Sequence, residues 1–166
     1  MPADRATLRA AQFPADAPAL RALIEEYLVW LACDLTYQHV DAELAHLATV
    51  YGEPHGFMLV AHSEGQMVGC AGMKRIDAVT GEMKRLYVKP TFQRRGCGAD
   101  LVAAVVARAH ASGIERLLLD AAPPTVNAQA LYLRAGFREI AAYYDSPLAG
   151  TRYFEKWLAN MPDRQD

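Results

Sequence analysis

Arg85-Leu86-Tyr87-Val88-Lys89-Pro90-Thr91-Phe92-Gln93-Arg94-Arg95-Gly96-Cys97-Gly98 is the stretch that decides the fold. It begins as a short apolar strand ending at Val88. Pro90 stops the strand, because it has no N–H to give to a ladder. A basic turn with Gly96 and Gly98 follows, and an amphipathic helix starts at once. Glycine opens backbone conformations closed to other residues and lets a ligand come close. The first N–H groups of a helix lack partners within it, and the helix dipole is positive at that end. Strand, glycine turn, two arginines and helix start together predict an anion site, most naturally for phosphate.

The spacing is Gln-x-x-Gly-x-Gly, from Gln93, Gly96 and Gly98. It lacks the Gly-Lys-Ser/Thr ending of a nucleoside triphosphatase loop, and it is not the G-x-G-x-x-G of a dinucleotide site. Taken alone it is also compatible with a plain glycine-rich turn. Two flanking stretches add to it: Glu82-Met83-Lys84-Arg85-Leu86-Tyr87-Val88 upstream, and Asn127-Ala128-Gln129-Ala130-Leu131-Tyr132-Leu133-Arg134-Ala135-Gly136-Phe137 downstream. Their order and spacing resemble the GNAT family of N-acetyltransferases, which move acetyl from acetyl-coenzyme A (acetyl-CoA) to an amine. The resemblance is specific over 82–137 and extends toward Trp157. The first fifty or so residues match only in their order of helices.

Composition sets the bounds. The 166 residues are the size of one domain with a real core, so the expected unit is a single domain over 1–166. Hydrophobic residues at 52% and charged residues at 22% suit an ordinary globular protein. A net charge of −2 argues against a nucleic-acid binder. Lys84, Arg85, Lys89, Arg94 and Arg95 nevertheless form a local basic patch. No apolar run is long enough to span a bilayer, and no signal segment is visible, so a cytoplasmic protein without membrane contact is expected. Cys33, Cys70 and Cys97 are odd in number and widely spaced, which indicates neither a disulfide framework nor zinc. The five histidines are scattered, so no metal is expected. A homodimer is left open.

Taken in order, Thr7-Leu8-Arg9-Ala10 reads as a first strand. Asp16 is placed to cap a helix with Pro18 in its first turn. Leu20, Leu23, Ile24, Tyr27, Leu28 and Leu31 share one face of it. Asp41 is placed to cap a second helix that Gly52 ends. Residues 57–61, 67–73 and 82–88 predict a three-stranded meander. A third helix over 98–112 leads to the apolar strand 116–120, which makes a βαβ crossover with the strand from Glu82. A short helix over 126–135 and strands over 137–143 and 151–157 follow. The tail 160–166 is polar and expected to fray. The fold class is therefore α/β with a mixed central sheet flanked by helices, antiparallel at first and parallel where the third helix crosses. The resemblance implies the GNAT-type acyl-CoA N-acyltransferase fold.

Acetyl transfer to an amine requires the thioester to be held, its carbonyl polarised, the amine deprotonated and the leaving thiolate protonated. N–H groups of Arg94, Arg95, Gly96, Gly98 and Ala99 are available to a pyrophosphate, and Gln93 and Cys97 complete the loop. The resemblance implies a bulge at the end of the 82–88 strand. Backbone groups of Leu86, Tyr87 and Val88 would then face pantetheine and the acetyl oxygen, because a bulge frees such groups from the ladder. Glu82, eleven residues before Gln93, resembles the glutamate base of the histone-acetylating branch. An alkyl ammonium must lose its proton before attack. Glu82 otherwise pairs with Lys84 or Arg85, or stands in solvent. Tyr132 resembles the family's acid, with a core tyrosine as the alternative. Asn127 resembles a cofactor-contacting asparagine, with a helix cap as the alternative.

For the acceptor, a small molecule or a peptide amine, the available residues are Tyr37, His39, Tyr143, Tyr144, Asp145, Arg152 and Tyr153. Arg152 is a candidate partner for a substrate carboxylate. Cys97 sits in the phosphate loop rather than at the thioester, so direct transfer is expected. The rival reading is a non-catalytic acyl-CoA binding or sensing module on the same fold.

Overall fold

The computed structural model describes residues 5–158. The tail 160–166 lies outside them. Strand β1 (Thr7–Ala10) leads to helix α1 (Ala17–Leu31). Two short helices follow, α2 (Val40–Ala45) and α3 (Leu47–Val50). The meander is β2 (Gly56–Ser63), β3 (Gln66–Arg75) and β4 (Thr80–Val88). Helix α4 (Cys97–Ala111) crosses to β5 (Arg116–Ala121). Helix α5 (Val126–Arg134), β6 (Arg138–Ile140) and β7 (Arg152–Trp157) complete the order.

These strands form one seven-stranded sheet in the order β1-β2-β3-β4-β5-β7-β6. Only the β4–β5 pair is parallel. Side chains alternate across a strand, and both faces of β2 are covered. Phe57, Leu59 and Ala61 pack with Leu101 and Val105 of α4. Met58 and Val60 pack with Leu20, Leu23 and Ile24 of α1. Burial on both faces is why these strands read as nearly continuous apolar runs.

Two irregularities of β4 position the site. Its pairing with β5 ends early: Thr80, Gly81 and Glu82 pair with Arg116, Leu117 and Leu118, and the strands then part. Against β3, Tyr87 pairs with Cys70 and Lys84 with Gly72. Arg85 and Leu86 therefore stand opposite Ala71 alone, which is a bulge. Arg85 takes φ 60°, a left-handed conformation uncommon outside glycine. The bulge implied by the family resemblance is thus present.

Three local expectations are corrected. Asp16 precedes α1 but makes no side-chain cap. Its carboxylate turns back to Arg9 at 2.6 Å and to the Gln12 N–H at 2.6 Å. The second helix starts at Val40 and breaks at His46, whose φ −131° and ψ 39° lie outside helical values, so α2 and α3 are separate. The strand expected over 137–143 has only three residues, Arg138–Ile140, and the chain then leaves the sheet as a loop. Among the described residues no helix is long and apolar enough to cross a membrane. No group of three His, Cys, Asp or Glu residues there could hold a metal ion.

Candidate active site

The turn after β4 is built by its own sequence. Pro90–Phe92 forms a 3-10 turn, and the Gln93 amide donates 2.9 Å back to the carbonyl of Val88. Arg94 and Gly96 both have positive φ, 63° and 80°. This reverses the chain so that Cys97 begins α4. The first intrahelical bond closes at Asp100, whose N–H donates to the Gly96 carbonyl at 2.9 Å. The N–H groups of Cys97, Gly98 and Ala99 precede that bond and have no partner inside the helix. A Cβ built on Gly96 meets nothing within 4 Å, so the space before the helix start is open. The Arg95 guanidinium stacks 5.3 Å over Phe92. Gln93, Arg94, Arg95, Gly96 and Ala99 are exposed, while Cys97 is buried. Unpaired N–H groups at an open helix start fit an anionic group such as the diphosphate of coenzyme A.

Where β4 and β5 part, a narrow slot of about 40 Å³ opens. Its walls include Leu86, Arg85, Asp120, Ala128 and Tyr132. Leu86 is half-buried and faces the slot. Val88 is in the α4-side core, and Tyr87 is in the core on the opposite face, 5.4 Å from the ring of Tyr27. Only the main chain of Tyr87 and Val88 is therefore left for a ligand.

The Tyr132 ring is a core ring, packed 5.8 Å from Phe137 and 6.0 Å from Phe154. The residue also lines the slot. Burial pushes its phenol well above the ordinary tyrosine value, so it keeps its proton at neutral pH. Asn127 is exposed at the start of α5 and does not cap it; the capping position is Thr125. Asn127 does not line the slot either.

A wider cavity of about 430 Å³ adjoins the slot. Tyr37, Gln38 and Lys84 line both, so the two spaces share a wall. Glu82 lines the wider cavity. Its carboxylate accepts a 2.7 Å hydrogen bond from Tyr143 and pairs with Lys84 at 3.4 Å. Lys84 lies also 3.4 Å from Asp120. Asp120 in turn accepts from Tyr144 and, at 3.4 Å, from Gln38. Burial, then the Glu82 charge, pushes the Tyr143 phenol far up; burial, then Asp120, does the same to Tyr144. Both phenols are therefore fixed as donors to the carboxylates. Tyr143, Tyr144 and Tyr153 pack edge-on at 5.2–5.5 Å.

Of the acceptor residues expected from sequence, Tyr37, Tyr144 and Asp145 line the cavity, and Tyr143 and Tyr153 brace it. His39 is exposed and does not line it. Arg152 is otherwise engaged, bound to Glu139 at 3.1 Å and Gln129 at 2.6 Å. Sequence reasoning missed Asp120, Gln38 and Lys74, and it took Lys84 only as an ion-pair partner of Glu82 and part of a basic patch, not as a cavity residue. Two signals were available: Lys84 lies two residues from Glu82 on the same strand face, and Asp120 is the polar residue near the end of an apolar strand.

The model of the acetyltransferase (GNAT) family matches residues 19–137. The chain is 35% identical over 149 residues to an uncharacterised N-acetyltransferase of Schizosaccharomyces pombe, covering 89% of this chain and 91% of that one. Among solved structures, an acetyltransferase from Streptococcus agalactiae superposes with a TM-score of 0.79 at 21% identity, over 94% of this chain and all of that one. A GNAT family acetyltransferase from Elizabethkingia anophelis with acetyl-CoA bound superposes with a TM-score of 0.64 at 19% identity, over 94% and 100% of the two chains. With the family matched over more than half of its length and a relative aligned over most of both sequences, the chain belongs to the GNAT family, acetyltransferases that carry acetyl from acetyl-CoA to an amine.

Proposed function

We propose that residues 1–166 act as one acetyltransferase domain that acetylates a small-molecule amine directly, with Glu82 as base and Tyr132 as acid. The observation that carries this reading is the shared wall. The slot beside the bulge and the 430 Å³ cavity meet at Tyr37, Gln38 and Lys84, with Glu82 on the cavity side and Tyr132 on the slot side. A concave space of this volume suits a small ligand.

Acetyl-CoA supplies a thioester whose carbonyl carbon takes a nitrogen and whose sulfur leaves. The protein supplies the rest. N–H groups of the 93–99 segment hold the diphosphate, and Arg94 and Arg95 add charge. Main-chain groups at the bulge of β4 are free of the β5 ladder and available to the thioester carbonyl. Glu82, already an acceptor toward Tyr143, takes the proton that the amine must lose, directly or through water. Tyr132 gives a proton to the departing sulfur.

Direct transfer is supported by the thiols: burial raises Cys97 and lifts Cys70 to about 12, so neither is a ready nucleophile. The free thiols also suit the reducing cytoplasm. Steady-state kinetics with varied acetyl-CoA and amine test the reading. Intersecting lines with thiol release support it. Parallel lines point to an acetyl-enzyme, and binding without thiol release points to the sensing module.

A further inference from the structure

We propose that the acceptor is a free α-amino acid, held as a zwitterion across β3 and β4 with its carboxylate on Lys74. The proposal rests on the acceptor cavity described above and names what that cavity takes.

Charge of the two signs is separated across this cavity. On one side stand Glu82 and Asp120 with Lys84 between them, 3.4 Å from each. Two carboxylates and one ammonium leave an excess of one negative charge. Tyr143 and Tyr144 donate to these carboxylates and offset none of it. On the other side stand Glu43, Arg85 and Lys74. Arg85 binds Glu43 through two nitrogens, at 2.8 and 3.3 Å, and that pair is sealed from solvent. Lys74 sits 3.3 Å from the same carboxylate, is a third exposed and lines the cavity. One carboxylate against two cations leaves one positive charge in excess, and Lys74 presents it.

The two sides are one strand spacing apart. Lys74 and Glu82 are register partners, whose Cβ atoms lie roughly 5 Å apart on one sheet face. Lys74 nevertheless pairs with Glu43 and not with Glu82. A ligand between them meets an anion site and a cation site together. The other charged side chain on the lining is Asp145, exposed at the rim; Asp120 stands on the slot side, and Glu43 and Arg85 offset one another off the lining. A polyamine would set a second cation against Lys74, and a polyanion would set its charges against Glu82 and Asp145. A peptide N-terminus carries its carboxylate elsewhere, and Lys74 would then meet Glu43 alone. An α-amino acid places opposite charges on adjacent groups and satisfies both sides.

One more atom needs a donor. Gln38 Oε1 is buried at the shared wall and has no hydrogen-bond partner among the described residues. A buried acceptor left alone is costly. A turn of the Gln38 side-chain amide that brings this oxygen to the wall where slot and cavity meet lets the ligand's amino group, held by Glu82, supply that N–H. The reaction then forms the C–N bond as the thioester C–S bond breaks. Starting from the ammonium form, the nitrogen loses two protons, one through Glu82 to solvent and one matched by the proton the sulfur gains, and the products are an N-acetyl amino acid, free coenzyme A and one released proton.

The test pairs each acid with its decarboxylated and amidated forms: L-alanine, L-leucine and L-phenylalanine against the matching amines and amides, read by thiol release. The ratio of kcat/KM between acid and amine is compared in wild type, Lys74→Gln and Lys74→Arg. The expected result is a preference for the acids that falls by at least about tenfold in Lys74→Gln and returns in Lys74→Arg. A wild type that favours amines or amides overturns the proposal, as does a ratio untouched by Lys74→Gln. Acetyl-CoA affinity is measured by calorimetry alongside. Binding without turnover on any of the nine compounds overturns the amino-acid assignment alone. No binding overturns the function beneath it.

Discussion

Glu43 of α2 and Arg85 of the β4 bulge form an ion pair across 42 residues of sequence, with side chains only 3% and 4% exposed. It joins helix α2 to the backbone that flanks the slot. Removing one partner strands the other charge in the interior, which costs about 3–5 kcal/mol. Glu43→Leu and Arg85→Met are each expected to lose stability on that scale in urea unfolding. The double variant is expected to recover much of it, because it buries no lone charge. Burial pushes the Glu43 carboxyl up, but Arg85 and then Lys74 outweigh it, and the net shift is downward. A lowered folded value means that the unfolded chain binds the proton first. The pair's stability is then fully present above about pH 4.3 and is lost as pH falls through the folded value. In Glu43→Leu that acid-side loss is expected to shrink.

Gly96→Val tests the cradle. With φ at 80° and open space around the position, the new side chain meets no clash but strains the backbone and fills the approach to the helix start. Calorimetry should show acetyl-CoA affinity falling strongly. Unchanged affinity would remove the diphosphate from this loop.

Tyr132→Phe keeps a ring against Phe137 and Phe154 and removes one hydroxyl at the slot. Melting temperature and cofactor affinity are expected to hold while turnover falls about 10²–10⁴-fold. Wild-type turnover, where chemistry limits the rate, would leave Tyr132 a packing residue.

Glu82→Gln retains shape and can still accept from Tyr143, but it lacks a base. Turnover is expected to fall most near neutral pH and to recover partly at alkaline pH, where more amine is already neutral. A purely structural pairing with Lys84 predicts instead a parallel loss at every pH with a lower melting temperature. A profile that overlays wild type would assign the base elsewhere.

The central part of this architecture was readable because it is punctuated locally. Pro90, Gly96 and the Gln93 spacing mark a strand end, a turn and a helix start within a dozen residues. The break at His46 has no such mark, since neither glycine nor proline stands there. Lys84 and Asp120 meet across 36 residues, and Glu43 and Arg85 across 42. No periodicity reports such pairings. Arg152 was misread for the converse reason: a basic residue near a cavity looks free until Glu139 and Gln129 are seen on it.

The parting of β4 from β5 after three residue pairs also makes the sheet mechanically two pieces, β1–β4 and β5–β7–β6, joined by a short seam and bridged by α4. Each piece has an inner edge of main-chain groups facing the gap, and a ligand bound there would supply the missing rungs. Heat tolerance then becomes a reading of ligand concentration. By mass action a ligand at 100 times its Kd adds roughly 2.7 kcal/mol to the folded state, and the amides along the seam are where slowed hydrogen exchange would record it first.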